Sequence, residues 1–91
     1  MPRFIVERTF PDGLKLPLDK AGAEVIDSVL RNNVAKGVFW LHSYVTVDMR
    51  KSYCIFDAPS SDAIREVAAM NNLPIDSILQ VNVLDPHFYR S

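Results

Sequence analysis

Cysteine is almost absent from this 91-residue chain, which contains only Cys54. One cysteine cannot form an internal disulfide. Cys54 shares a predicted strand face with apolar residues such as Phe56, so it is predicted to be a small core residue. No apolar run approaches the roughly 20 residues that a membrane-spanning helix needs. The N-terminal sequence MPRFIVER lacks the apolar segment and cleavage site of a signal peptide. We therefore expect a cytoplasmic protein with no membrane partner.

An excess of charge of either sign is also missing. Ten basic and 11 acidic residues give a formal net charge of -1, so there is no electrostatic reason to expect nucleic-acid binding. Glycine is scarce, with three residues, and no glycine-rich phosphate loop, nucleophile motif or cofactor fingerprint is present. No organic cofactor is therefore expected, and any reaction would be cofactor-free or would use a bound metal.

Hydrophobic periodicity predicts six elements in the order β-α-β-β-α-β within a single domain, 1–91, that ends in a short tail, 85–91. Asp19 and the pair Ser60-Ser61 provide helix N-caps, and Gly37 and Asn72 are suited to left-handed helix ends. The predicted strands cover 3–9, 38–47, 52–58 and 77–84, and the predicted helices follow the two caps.

This order predicts the ferredoxin-like α+β fold, a four-stranded antiparallel sheet with two helices on one face. The other face of the sheet is then uncovered. Its predicted side chains are Glu7, Trp40, His42, Tyr44, Tyr53, Ile55, Asp57, Gln80 and Asn82. Because exposed patches this aromatic usually mark interfaces or ligand sites, we expect a homodimer in which two sheets stack as an α+β barrel.

The hairpin 42–59 carries the candidate site. If Val47 pairs with Ser52, then His42 lies opposite Asp57, and Glu7 lies on the same face. One imidazole and two carboxylates are suitable ligands for a divalent transition metal. The structural alternatives are that His42 is hydrogen-bonded inside a dimer, that Asp57 caps the turn after its strand, and that Glu7 is ion-paired with Arg8.

A cofactor-free enzyme of the isomerase or monooxygenase type is the competing function. Asp57 would orient His42 for proton transfer, and Glu7 would act as a second acid or base. Tyr44 or Tyr53 would donate a hydrogen bond to a developing oxyanion. A dimeric module that binds a small molecule needs only the aromatic face.

A second, surface metal site is conceivable in the tail, where Asp85 and His87 lie two residues apart. An isolated histidine in such a position is more often simply solvated. His42 is therefore the preferred metal ligand.

Several short segments resemble the small nickel-binding ferredoxin-like proteins, a family long catalogued as a bacterial domain of unknown function. They are PRFIVERTFP (2–11), HSY (42–44), CIFDAPS (54–60), AIRE (63–66), NLP (72–74) and VLDP (83–86). The resemblance covers nearly the whole chain. It implies a ferredoxin-like dimer that binds nickel as an intracellular metal sink. The motifs do not identify which positions bind the metal.

Overall fold

The computed structural model describes residues 1–89. Four strands and two helices follow one another in the predicted order β-α-β-β-α-β, and a short 3-10 helix, Pro86–Tyr89, comes after them. The elements are β1 (Arg3–Thr9), α1 (Lys20–Ala35), β2 (Phe39–Val45), β3 (Lys51–Asp57), α2 (Ser61–Met70) and β4 (Ser77–Val81). Neither helix within residues 1–89 is long and apolar enough to cross a membrane. Arg90 and Ser91, the end of the predicted tail, lie outside the described residues.

The strands form one antiparallel sheet in the order β2-β3-β1-β4. The two central strands, β1 and β3, are neighbours in space although α1 and β2 separate them in sequence. Both helices pack against the same side of this sheet, which leaves the other side uncovered. The predicted ferredoxin-like α+β fold is therefore confirmed.

Local sequence signals account for the ends of both helices. The Asp19 side chain accepts a hydrogen bond from the Gly22 amide at 3.1 Å, and Ser60 accepts one from Ala63 at 3.2 Å. These contacts satisfy amides at the start of each helix that have no partner within it. Gly37 follows α1 with φ 69°, and Asn72 follows α2 with φ 57°. Both left-handed residues end their helices as predicted.

The core lies between the sheet and the helices. Alternate residues of the central strands, such as Phe4, Val6 and Phe56, point into it and meet Ile64 and Val67 of α2. Cys54 is buried in the same layer, as predicted. By contrast, the apolar residues of α1 are partly exposed, and only Gly22 and Asn33 of this helix are buried. Helix α2 is therefore better anchored to the sheet than α1.

The predicted register of the β2–β3 hairpin is wrong by two residues. The observed pairs are Val45–Ser52, Tyr44–Tyr53 and His42–Ile55. The connection is longer than predicted: the Thr46 amide donates to the Lys51 carbonyl at 2.9 Å, and Met49 turns the chain with φ 63°. A shift of two residues preserves the alternation, so His42 and Tyr44 remain on the uncovered face.

A β-bulge in β2 moves Trp40 to the other side of the sheet. The pairing shifts between Trp40 and His42, leaving Leu41 as the extra residue. Trp40 then lies opposite Phe56 and packs against the core. Its predicted position on the uncovered face is wrong because one inserted residue reverses the alternation.

The predicted orientation of β4 is also wrong. Gln80 lies opposite Phe4 on the helix-covered side, whereas Leu79 lies opposite Ile5 on the uncovered side. Asn82 lies beyond the end of β4. Ile78 is the residue of β4 that packs against the core. Both faces of β4 carry apolar residues. The alternation of side chains along this strand therefore could not show which of its two faces is buried.

Candidate functional site

The uncovered side of the sheet, here called the open face, is apolar at its centre and charged on both sides. Its side chains are Arg3, Ile5, Glu7, Thr9, Phe39, His42, Tyr44, Lys51, Tyr53, Ile55, Asp57, Ser77, Leu79 and Val81. The central row across the four strands consists of His42, Ile55, Ile5 and Leu79. Ion pairs lie on each side of this row.

His42 lies on β2, at the edge of the sheet, and is exposed. Its ring contacts Tyr44 edge to face, with 5.2 Å between the ring centroids and an interplanar angle of 87°. Its cross-strand neighbour is Ile55 instead of the predicted Asp57. Within residues 1–89, no hydrogen bond involves its ring nitrogens, so both are accessible to an external ligand.

Asp57 is paired with Arg3 of the neighbouring strand. The Arg3 Nε and Nη2 atoms donate to the two carboxylate oxygens at 2.9 and 3.2 Å. Hydrogen bonding to Arg3 holds the pKa of Asp57 below its ordinary value, and the same bonds raise the pKa of Arg3. This carboxylate is therefore ionised and already bound to a cation.

Glu7 is paired with a cation as well. Lys51 Nζ donates to the Glu7 carboxylate, and Asp76 lies 3.9 Å from the same ammonium. The hydrogen bond to Glu7 raises the pKa of Lys51. The predicted pairing of Glu7 with Arg8 is wrong, because successive residues of a strand point to opposite faces and Arg8 is buried on the helix side.

The three predicted metal ligands share the open face but do not converge. His42 lies opposite Ile55, whereas Asp57 and Glu7 each contact a cation. Among residues 1–89, no group of three or more His, Cys, Asp or Glu side chains could hold a metal ion. The described residues of one chain therefore do not fit a complete nickel site.

The acid–base pair that the enzymatic alternative required is also missing. Asp57 is bound to Arg3, so it does not orient the imidazole of His42. Tyr44, next to His42 along the same face of β2, lies opposite Tyr53, which in turn lies opposite Glu7. Without the pair, nothing in this arrangement favours proton transfer by His42.

The tail places Asp85 and His87 in and beside the 3-10 helix. The Asp85 carboxylate accepts a hydrogen bond from the His87 backbone amide at 2.9 Å. This is a local capping contact, which accounts for the spacing of the two residues without a metal. Phe88 and Tyr89 are 73% and 77% exposed on a single chain.

Replacing Asp57 by Asn should lower stability near neutral pH and flatten the acid limb of the stability curve. Because the pKa of Asp57 is lower in the folded than in the unfolded chain, its contribution is present above the ordinary pKa. It is lost as the pH falls through the lowered value. The effect should be modest, a shift of a few degrees in melting temperature, since both side chains are about one-quarter to one-third exposed.

Thermal denaturation of the wild type and Asp57→Asn from about pH 7 to about pH 2 measures this effect. The two curves should converge at the acid end. Asp12→Asn, in the exposed turn after β1, is the control and should match the wild type at each pH. A constant difference between Asp57→Asn and the wild type down to the lowest pH would contradict the ion-pair explanation.

Sequence reasoning missed the cations of the open face and part of its apolar centre. Arg3 and Lys51 are far from their partners in sequence, so no local spacing pairs them with Asp57 and Glu7. Phe39 reaches this face only because of the bulge. These features depend on strand pairing and could not be read from the periodicity of one strand.

The element order, strand order and open sheet face define a small α+β protein of the ferredoxin-like fold. Residues 4–81 match the family model described as Nickel responsive protein SCO4226-like, and the chain belongs to that family. The predicted resemblance is thereby confirmed. A comparison with curated proteins found no match.

Among solved structures, the fold is similar to the crystal structure of SCO4226 from Streptomyces coelicolor A3(2). The TM-score is 0.72 at 15% sequence identity, and the match covers 91% of this chain and 99% of that chain. At this level of identity, the likeness shows a shared fold.

Proposed function

We propose that this protein binds nickel through His42 and acts in the cytoplasm as a metal sink. Two observations support this: the family is described as nickel responsive, and the His42 imidazole is exposed on the open face with neither nitrogen hydrogen-bonded within residues 1–89. A neutral imidazole is a good ligand for Ni²⁺. The exposed imidazole is the observation on which the proposal chiefly depends.

One histidine does not hold nickel tightly, so further ligands are required. Asp57 and Glu7 are candidates because they lie on the same face of the sheet as His42. To bind the metal, Asp57 would have to break its ion pair with Arg3, and Glu7 its ion pair with Lys51. Donors from a second copy of the chain would remove this difficulty. We therefore include a homodimer, formed through the open face, in the proposal.

The open face has the composition of an interface. Ile5, Ile55 and Leu79 form its centre, and Phe39 and Tyr44 at its edge are 49% and 64% exposed. At about 4.8 Å between strands and about 3.3 Å per residue, the face measures about 20 by 20 Å. Two stacked faces alone would bury about 800 Å² in total, which is below the range of about 1,200–2,000 Å² for stable dimers, so the dimer needs contacts beyond the sheet. The exposed aromatic residues of the tail could extend this contact.

His42→Ala should reduce nickel affinity at least about tenfold, because it removes the one imidazole of the open face. Calorimetric titration of protein without a histidine tag measures the change, and zinc and cobalt titrations test selectivity. His87→Ala is the matched control, since it removes the other histidine of the chain. It should bind nickel as the wild type does.

Asp57→Asn and Glu7→Gln then test the carboxylates. A loss of nickel affinity in either variant, with the dimer intact, would identify that carboxylate as a ligand. Wild-type nickel affinity in His42→Ala would contradict the proposal, as would a loss confined to His87→Ala.

A further inference from the structure

A cavity of about 290 Å³ lies on the helix-covered side of the sheet, beneath α1. Its walls come from α1, α2, the helix-facing residues of three strands and the connection between β1 and α1. Exposed lining residues, Lys15, Val25 and Val45, mark its opening. This volume is close to the lower limit of small-molecule pockets and is far larger than a packing defect in a small domain.

The cavity contains a buried arginine that lacks an anionic partner. Arg8 is only 3% exposed, and within residues 1–89 the one hydrogen bond of its side chain runs from Nη1 to the Pro74 carbonyl at 2.8 Å. Its guanidinium also lies 6.0 Å from the centroid of the Phe56 ring. No carboxylate of the described residues lies within ion-pair distance of it. Buried cations are normally paired, so this one is suited to an anion from outside the chain.

A second donor in the same cavity is also unsatisfied. Asn33 is 1% exposed, and its Oδ1 accepts a hydrogen bond from Asn71 at 3.2 Å. That contact sets the orientation of the amide and leaves Nδ2 buried without a partner among residues 1–89. Orphaned donors of this kind are rare in native interiors and call for an explanation. Asn33 and Arg8 both line the cavity, so a ligand whose acceptor oxygens enter it is the candidate partner for these donors.

The remaining walls restrict the kind of anion. They are mostly aliphatic and aromatic, and the described lining residues include two cations, Arg8 and Lys15, but no Asp or Glu. A carboxylate has two acceptor oxygens that match a guanidinium and an amide, and the mostly apolar lining suits a ligand that is charged at one end only. We propose that the cavity binds a small monocarboxylic acid with an apolar body, its carboxylate at Arg8 and Asn33.

This site is independent of the nickel proposal, because the sheet separates Arg8 from His42. Titration of the tag-free protein with octanoate, 1-octanol and acetate tests it directly. Trp40, the single tryptophan, lines the cavity, so its fluorescence reports occupancy. Octanoate should give a saturable change at millimolar concentration. The alcohol lacks the charge and acetate lacks the apolar body, so each should bind at least about tenfold more weakly.

Arg8→Met retains most of the side-chain volume and should abolish the preference for octanoate over octanol. Arg65→Met on the exposed surface of α2 is the control and should leave the preference for octanoate over octanol unchanged. Val29→Phe leaves Arg8 in the chain and fills part of the cavity, so it should weaken both ligands. This variant tests the proposal if Arg8→Met does not fold. Equal binding of octanoate and octanol by the wild type, or no saturable change with octanoate, would overturn the proposal.

Discussion

Gly22→Ala should lower the free energy of unfolding by about 2–3 kcal/mol, the cost typical of an overpacked interior position. A Cβ atom at this position would lie 1.7 Å from the Pro17 carbonyl oxygen and 2.9 Å from its carbon. These are backbone atoms, so the connection between β1 and α1 has to move away from the helix. Alanine is the better helix former by about 1 kcal/mol, which offsets only part of this cost.

Urea denaturation followed by circular dichroism measures the effect. Ser28→Ala, on an exposed position of the same helix, is the matched control and should leave stability unchanged or slightly raised. The same connection lines the cavity beneath α1, so Gly22→Ala should also change octanoate binding. If Gly22→Ala were as stable as the wild type, the segment between β1 and α1 would not be packed tightly against α1.

Leu79→Asp should weaken the proposed dimer at least about 100-fold, or roughly 2.7 kcal/mol. Leu79 lies opposite Ile5 in the central apolar row of the open face and is 59% exposed on a single chain. In a dimer formed through this face, an aspartate there would be a buried charge without a partner, which is strongly unfavourable. Trp40 is not a suitable position for this test, because it packs against the core.

Sedimentation velocity over a range of concentrations measures the change. Gln80→Asp is the matched control, since the adjacent residue is exposed but lies on the opposite side of the sheet. It should dimerise as the wild type does. A wild-type protein that is monomeric at high micromolar concentration would exclude the dimer. If nickel ligands come from a second copy, Leu79→Asp should lose nickel affinity as well.

Much of the fold followed from local patterns. The caps at Asp19 and Ser60 and the left-handed residues Gly37 and Asn72 depend on each residue's own backbone and nearest amides. Phe4 and Val6 alternate with Ile5 and Glu7 in β1, and this alternation marks one buried face. Interactions within a few residues are visible in sequence, and this explains why the six elements and their order were predicted correctly.

The candidate site was predicted less well because it depends on which strands meet and in what register. His42 and Glu7 were placed on the correct face, but the longer turn at Met49 moved Asp57 away from His42. The Asp57 carboxylate then pairs with Arg3, 54 residues away in the chain. A shift of two residues leaves the pattern of each strand unchanged, so sequence alone could not detect it.

The sequence by itself determined the element order, the α+β class, the family and the presence of His42 on the face without helices. Only the tertiary structure decided the partners of Asp57 and Glu7, the inward position of Trp40 and the isolation of Arg8 in a cavity. The physical reason is that the hydrophobic periodicity of a segment indicates which of its own side chains are buried and which are exposed. Ion pairs, bulges and cavities depend instead on distances between segments that are remote in the chain.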